Sequence, residues 1–277
     1  MKKHLSVLLA AALLLTLAAC KKAETDPQPP VDPPVSEEPE TPDPPVSPDG
    51  PEEPEEPSES ETPAPPAAAP EDGAAAVTDA VSEGSVEELV SYQFHQPEIT
   101  AADASVSQIL NDYYASVYGK LSDLCYGEVY EQAIDRHTVL HVTADYQVMC
   151  SSGGRLSILR HVTVADQQTG VAEVTAYAET FNLKNGGLLT AGDFFDAGEQ
   201  TYTARLVDCV RRQIQEDPYH DQNYFSQWED LTQAAFNKDQ FYVTDGCYAV
   251  FYQENDLGGA AETVFEIPWS QLEDLRK

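Results

Sequence analysis

The side chains in this sequence that could do chemistry include a small set of histidines. His137 and His141 are four residues apart, which is the ligand spacing of zinc sites on helices, but they lie in an alternating segment typical of a β-strand. Four residues of strand span roughly 13 Å. That is too far for both imidazoles to reach one zinc ion at about 2.1 Å. The pair therefore predicts no metal site.

A second group combines imidazoles with a carboxylate. A hairpin turning at residues 151–154 would place His141, Asp145 and His161 on one polar face of two paired strands. That register would permit a diagonal contact between Asp145 and His161. We interpret this face as solvated, and a metal or acid–base site is the alternative.

The acids Asp193, Asp196 and Glu199 flank a predicted helical turn. Paired acids can perform general acid–base catalysis, but acids also stabilise a helix N-terminus, and we predict the second role here. The sequence contains no Gly-x-Ser-x-Gly, phosphate-binding glycine loop or Cys-x-x-Cys. It predicts a protein that is not an enzyme, with no catalytic residue, no metal and no cofactor.

One cysteine, Cys20, stands where a specific modification is expected. A basic start and an apolar run over 5–17 precede Ala18-Ala19-Cys20, and the run is shorter than the roughly 20 residues that span a membrane. The pattern resembles a bacterial lipobox, which implies that Cys20 is lipidated with fatty acids such as palmitate and becomes the first mature residue. Residues 1–19 are then a signal peptide, and the protein is anchored at the extracytoplasmic face of the cell membrane. An ordinary secretory signal is the alternative.

Four further cysteines follow in the C-terminal part. Export permits disulfides, but the spacings suggest no framework, and we favour free, mostly buried thiols. They are Cys125, Cys150, Cys209 and Cys247.

Charge and composition divide the 277 residues. The net charge is −33, from 48 Asp and Glu against 15 Lys and Arg, which excludes nucleic acid as a partner. Residues 20–84 hold most of the prolines and, after Cys20, no aromatic residue, so they are predicted to be a disordered stalk. Residues 85–277 have a globular composition and a net charge of −19, which attracts cationic partners.

The elements expected over 85–277 form an α+β fold of antiparallel-rich sheets with packed helices. The pattern predicts two sub-lobes, about 85–184 and 185–277. The first has a strand over 90–96 that ends at Pro97, a helix capped by Asp103 or Ser105, and three further strands. In the second, the helices are followed by a hairpin around Asp245-Gly246 and by a last strand.

An ordered series of short motifs then carries a family resemblance. The motifs are Gly154-x-Leu156-Ser157-Ile158, Thr180-Phe181-Asn182-Leu183, Gly187-x-Leu189-Thr190, Asp193-Phe194-Phe195, Phe241-Tyr242-Val243-Thr244-Asp245 and Phe265-Glu266-Ile267-Pro268-Trp269-x-x-Leu272. The series resembles the paired DUF4163 and DUF3298 extracytoplasmic module. That module also occurs in a lysozyme-sensing anti-sigma factor and ahead of the catalytic domain of a cell-wall polysaccharide deacetylase.

The resemblance implies a membrane-anchored binding or sensing lipoprotein of the cell envelope. Its expected ligand is a cationic wall-active protein such as lysozyme, or the wall glycan, peptidoglycan. The alternative is a cell-wall polysaccharide-modifying enzyme or an accessory module of one. The candidate ligand-binding residues are Tyr252, Glu254, Asp256 and Glu262, in and around a glycine-rich loop between two strands.

Overall fold

A computed structural model describes residues 73–259 and 262–277. The predicted signal peptide, Cys20 and the predicted stalk up to residue 72 lie outside the described residues. The fold is α+β, as the sequence predicts, with two antiparallel-rich sheets and helices packed on them.

The larger sheet has six strands, which lie next to one another in chain order. They are β1 (Ala75–Val86), β2 (Val90–Ala101), β3 (Leu140–Ser152), β4 (Arg155–Asp166), β5 (Ala172–Asn182) and β6 (Gly187–Leu188). Every neighbouring pair is antiparallel except β2 and β3. A parallel pair requires a crossover connection. Two helices supply it, α1 (Ala104–Tyr126) and α2 (Glu128–Arg136).

The smaller sheet has three antiparallel strands, and three helices precede it in the chain. The strands are β7 (Phe241–Val243), β8 (Cys247–Tyr252) and β9 (Thr263–Pro268). The helices are α3 (Glu199–Glu216), α4 (His220–Asn223) and α5 (Trp228–Ala234), and single 3-10 turns lie at Ala191–Asp193 and Trp269–Gln271.

The long helix α1 begins where the sequence predicts, because Asp103 accepts a hydrogen bond from the Ser105 backbone N–H at 2.7 Å. Its buried side chains recur at helical spacing and face the larger sheet. They are Val106, Leu110, Tyr114, Tyr118, Leu121 and Cys125. Ile109, which the periodicity assigns to this face, is about half exposed instead.

The two sheets pack face to face, so the core has layers. One face of the larger sheet packs on α1, and one face of the smaller sheet packs on α3. The opposite faces meet through a third apolar cluster that includes Leu159, Ala176, Ala249 and Phe251. The central strand β8 is therefore covered on both sides, and all six of its residues are buried.

The first strand corrects the predicted boundary of the stalk. Residues 75–84 were expected to be disordered, but they form most of β1, which pairs with β2 over its whole length. The expected stop at Pro97 is also wrong, because β2 continues to Ala101. β2 pairs with β3 only up to Phe94, so Pro97 has no strand neighbour on that side and pairs only with Asp79 of β1.

The four described cysteines are free and buried, which confirms the prediction for them. Burial raises the pKa of the Cys125 thiol to about 11. These thiols are packed in the core as small apolar groups.

Candidate functional site

The predicted binding loop joins β8 to β9, and we call residues 253–259 together with Glu262 the β8–β9 loop. Its N-terminal stem is fastened to the open edge of β5. The Gln253 side-chain amide accepts from the Ala176 backbone N–H at 2.9 Å and donates to the Ala176 carbonyl at 2.8 Å. Glu254 accepts from the Val174 backbone N–H at 3.5 Å. The loop thereby satisfies an edge that would otherwise expose unpaired backbone groups.

The C-terminal stem is fastened by an ion pair. Glu262 lies 2.6 Å from Nε2 of His161 on β4, 101 residues away in the chain. The hydrogen bond with Glu262 raises the pKa of His161, although partial burial opposes the shift. Imidazole and carboxylate are both largely shielded from solvent, so salt screens this contact less than it screens a surface pair.

His161 belongs to a row of alternating acids and imidazoles that crosses the larger sheet. Asp79 on β1 contacts His95 on β2 at 2.7 Å, and the other ring nitrogen of His95 lies 4.0 Å from Asp145 on β3. A register shift between Val148 and Cys150 places Asp145 directly opposite His161. Asp145 and His161 were predicted to lie diagonally across the hairpin, and they lie directly opposite each other instead, because the β-bulge shifts the register of β3 against β4.

His141 is not part of this row. Its Nδ1 lies 2.8 Å from the Ser91 hydroxyl on β2. His137 ends α2 in the left-handed conformation, at a φ of 55°. Within the residues that the structure describes, no group of three His, Cys, Asp or Glu side chains is placed to hold a metal ion.

The shape of the β8–β9 loop depends on its own polar groups. The Gln253 N–H donates to the Asp256 carboxylate at 2.8 Å, and Asn255 has a positive φ of 64°. Burial raises the pKa of Asp256, and the Gln253 hydrogen bond offsets part of that rise. Leu257 is buried beneath the loop. These contacts shape the backbone of residues 253–257 locally.

Gly258 allows the loop to approach a neighbouring segment closely. The Phe225 backbone N–H donates to the Leu257 carbonyl at 2.8 Å, and a Cβ on Gly258 would lie only 2.6 Å from the Phe225 nitrogen. The φ of Gly258 is 133°, which other residues rarely adopt. Glycine is required here by both space and conformation.

The neighbouring segment, residues 217–230, we call the α4 segment. It presents Tyr219 and Phe225 to solvent at 60% and 44% exposure. Its acids are Asp217, Asp221, Glu229 and Asp230, and no Lys or Arg occurs between Arg212 and Lys238. Among the described residues, neither Asp217 nor Glu254 has a Lys or Arg partner within 4.0 Å. The segment contacts the loop through the bond from Phe225 to Leu257, and Arg211 donates to its Glu229 carbonyl at 2.6 and 3.0 Å. We call the exposed acids and rings of the loop and this segment the acidic surface.

The predicted site residues therefore differ in what they do. Tyr252 is fully buried and donates to the Thr232 carbonyl at 2.7 Å, so it cannot present its ring to a ligand. Asp256 shapes the loop and Glu262 fastens it. Glu254 lies at the surface that a ligand could reach. Sequence reasoning missed Tyr219 and Phe225, whose signal is an aromatic pair in a polar, proline-containing stretch.

A second polar cluster lies beneath α1, outside this surface. Arg160 on β4 and Glu179 on β5 are only 4% and 6% exposed, and they make a two-point contact at 2.5 and 3.1 Å. Tyr114 donates to Glu179, and the guanidinium lies over the Tyr118 and Tyr177 rings. The hydrogen bonds and charge of Glu179 raise the pKa of Arg160 despite its burial. The cluster is enclosed, so its role is structural.

Of the acids predicted to cap the helical turn, Asp193 caps the 3-10 turn at Ala191–Asp193. Asp193 accepts from the Thr190 backbone N–H at 2.7 Å and from its hydroxyl at 2.8 Å. These bonds hold the pKa of Asp193 below its usual range. Glu199 begins α3 and pairs with Lys238 at 2.8 Å. The helix-capping prediction is confirmed for Asp193.

Comparison with solved structures identifies the architecture. A DUF3298 family member from Bacteroides fragilis superposes with a TM-score of 0.52 at 10% identity, over 73% of this chain and 93% of that one. A DUF3298 family protein from Pseudomonas aeruginosa gives a TM-score of 0.53 at 9% identity, over 73% and 94%. The chain shares the fold of these DUF3298 proteins. At such identities the likeness concerns fold alone.

Comparisons of sequence identify no family for this chain. No protein-family model matches the chain, and no curated protein matches it. In the part of the chain that the structure describes, no helix is both long and apolar enough to cross a membrane.

Proposed function

We propose that this chain is a lipid-anchored binding or sensing protein at the extracytoplasmic face of the cell membrane, and that its folded part binds a cationic wall-active protein. The anchor rests on the basic start, the apolar run and Ala18-Ala19-Cys20. An acyl chain on Cys20 and a second on its amine would give the two signals that stable attachment needs. The acidic, proline-rich stretch after Cys20 would carry the folded part away from the membrane.

The observation that carries the binding proposal is the acidic and aromatic surface of the β8–β9 loop and the α4 segment. Clustered carboxylates steer a cationic partner to this surface and raise the association rate. Exposed Tyr219 and Phe225 supply ring faces over which Lys or Arg side chains can lie. Aromatic residues at a polar rim are also typical of contact surfaces between proteins.

The arrangement favours binding over catalysis. His95 and His161 each contact a carboxylate, and each contact joins neighbouring elements of the fold. A hollow of about 560 Å³ lies beside α3, and its lining residues include one carboxylate and no histidine. They are Glu199, Gln200, Thr203, Ala204 and Gln233. A catalytic site would instead gather a base and its partner around a reacting atom.

The resemblance to the module of a lysozyme-sensing anti-sigma factor supports the same class of partner. Lysozyme is therefore the probe, and peptidoglycan fragments are the comparison that distinguishes a glycan ligand. The test immobilises the chain from residue 21 onward, which lacks the predicted signal and anchor, and measures its binding of lysozyme and of peptidoglycan fragments.

The variants are Tyr219→Ser and Phe225→Ser on the proposed surface, and Tyr126→Ser as the matched control. Tyr126 is equally exposed but ends α1, on the far side of the larger sheet. We expect each surface variant to weaken lysozyme binding by about tenfold, as loss of an aromatic anchor does, and the control to bind normally. Absence of lysozyme binding by the unaltered chain would refute the proposal, and binding to peptidoglycan alone would replace the partner by a glycan.

A further inference from the structure

The two stems of the β8–β9 loop are held by contacts of different chemistry. The N-terminal stem depends mainly on the Gln253 amide, which does not titrate and bonds to Ala176 at 2.8 and 2.9 Å, and less on the longer 3.5 Å contact of Glu254 with the Val174 N–H. The C-terminal stem depends on the contact between His161 and Glu262, which immediately precedes β9. Histidine changes charge near neutral pH, so the strength of this second contact depends on pH.

We propose that His161 and Glu262 form a pH-dependent latch, which holds the C-terminal stem of the β8–β9 loop against β4 while His161 is protonated and loosens as it loses its proton. The step is a proton transfer from Nε2 or Nδ1 of His161 to solvent. Glu262 keeps its negative charge, so an ion pair becomes a hydrogen bond from a neutral imidazole to a carboxylate, and no hydrogen bond to Glu262 remains if Nε2 is the nitrogen that loses the proton. The contact loses the attraction between two opposite charges.

The surroundings of His161 contain the groups that set its charge. On β3, Asp145 lies directly opposite, and its negative charge favours the protonated ring. On β5, the opposing residue is the uncharged Ala176. On β7, the buried Tyr242 lies near Glu262, and burial raises the pKa of this phenol to about 12, so it stays neutral at physiological pH. No Lys or Arg pairs with Glu262 among the described residues.

The direction of the pH effect follows from the direction of the pKa shift. The pKa of folded His161 is raised from its ordinary value of 6.5, first by the hydrogen bond with Glu262. The latch therefore contributes fully below that ordinary value. Its contribution is lost as the pH rises through the higher value of the folded state. The loop is held in mildly acid solution and is looser in mildly alkaline solution.

The latch would make binding at the acidic surface depend on pH. This consequence rests on the proposed function, whereas the latch itself does not. Glu254 and the backbone that contacts Phe225 both belong to the β8–β9 loop. Loosening one stem lets this part of the acidic surface move relative to the α4 segment. Binding would then be favoured on the acid side, where the loop is held in one arrangement.

The test measures hydrogen exchange of the loop without any ligand, so its result is independent of what the surface binds. The chain from residue 21 is compared at about pH 5.5 and about pH 8.5, on either side of the histidine range, after correction for intrinsic exchange. We expect loop protection to fall by about threefold to tenfold at the higher pH, because the contact between His161 and Glu262 is then no longer an ion pair.

Three variants make the comparison specific. Glu262→Gln and His161→Gln remove the ionisable contact and should abolish the pH dependence of loop protection. His95→Gln is the matched control, because His95 makes a similar contact with Asp79 at 2.7 Å, and its other ring nitrogen lies 4.0 Å from Asp145, which belongs to β3 and not to the loop. It should leave the pH dependence intact.

Loop protection that does not change with pH in the unaltered chain overturns the proposal, and this comparison needs no variant to fold. A pH dependence that persists in His161→Gln, or one that His95→Gln removes, assigns the effect to another group and overturns it as well.

Discussion

Glu179→Gln removes the negative charge from the buried pair beneath α1 and keeps the shape of the side chain. The guanidinium of Arg160 is then left charged in a site where it is 4% exposed, with both of its carboxylate contacts replaced by an amide. Breaking a buried ion pair in this way costs about 3–5 kcal/mol. For a domain of this size each kcal/mol lowers Tm by roughly 2–4 °C, so we expect a fall of about 6–20 °C.

The assay is thermal and urea unfolding, followed by circular dichroism. The matched control is Asp274→Asn, because Asp274 makes the same two-point contact with Arg205, at 2.9 and 3.2 Å. Those two side chains are 60% and 38% exposed. Solvent screens such a pair, and its loss should cost less than about 1 kcal/mol.

A double variant separates the free-energy cost of leaving Arg160 unpaired from the net contribution of the ion pair to stability. Arg160→Met combined with Glu179→Leu leaves no charge in the site and should be more stable than Glu179→Gln alone. The reasoning is refuted if Glu179→Gln costs no more than Asp274→Asn, since burial would then make no difference.

Three further predictions concern β1, the loop and the anchor. A chain that starts at residue 85 loses ten of the twelve residues of β1 and should be less stable by at least about 2 kcal/mol than one that starts at residue 73, because β2 loses most of its antiparallel partner. The measurement is urea unfolding, and equal stability would mean that β1 contributes nothing. Gly258→Ala should destabilise the fold by about 1–3 kcal/mol, because the new Cβ meets the Phe225 backbone. Gly119→Ala, in open space on α1, should stabilise the fold by about 1 kcal/mol. Thermal unfolding compares the two variants, and equal effects would contradict the prediction. Cys20→Ser should abolish labelling by a clickable fatty acid, because the lipobox thiol is the acceptor, and undiminished labelling would contradict the anchor.

The elements that could be predicted are those whose sequence pattern and local capping agree. Asp103 caps α1, the Gly153-Gly154 turn joins β3 to β4, and Asp245-Gly246 joins β7 to β8. Each signal lies within a few residues, so no distant contact is needed to interpret it. The α+β class follows from these elements.

The features that the sequence did not predict all depend on contacts with residues distant in the chain. Residues 75–86 resemble the stalk in composition and form β1 because β2 offers them a twelve-residue partner. Tyr252 alternates like a half-exposed strand residue but is covered by α3–α5 on one side of β8. The contact between His161 and Glu262 joins residues 101 apart, which periodicity cannot reveal.

The central claim is that a cationic protein binds the acidic surface of the folded part. Attraction by many exposed carboxylates acts over about 30 Å at 0.01 M salt and about 8 Å at 0.15 M. Neutralising part of the surface should therefore slow association and leave dissociation nearly unchanged. The surface variant carries Asp221→Asn, Glu229→Gln and Asp230→Asn. The control carries Glu128→Gln, Glu131→Gln and Asp135→Asn, three exposed acids of α2.

The deciding measurement is the association rate constant with lysozyme at low and physiological salt, by surface plasmon resonance. We expect the rate constant to fall by about tenfold or more between the two salt concentrations, and the surface variant to associate several-fold more slowly than the control at low salt. An association rate that is insensitive to salt, or that is equal for the two variants, would contradict it.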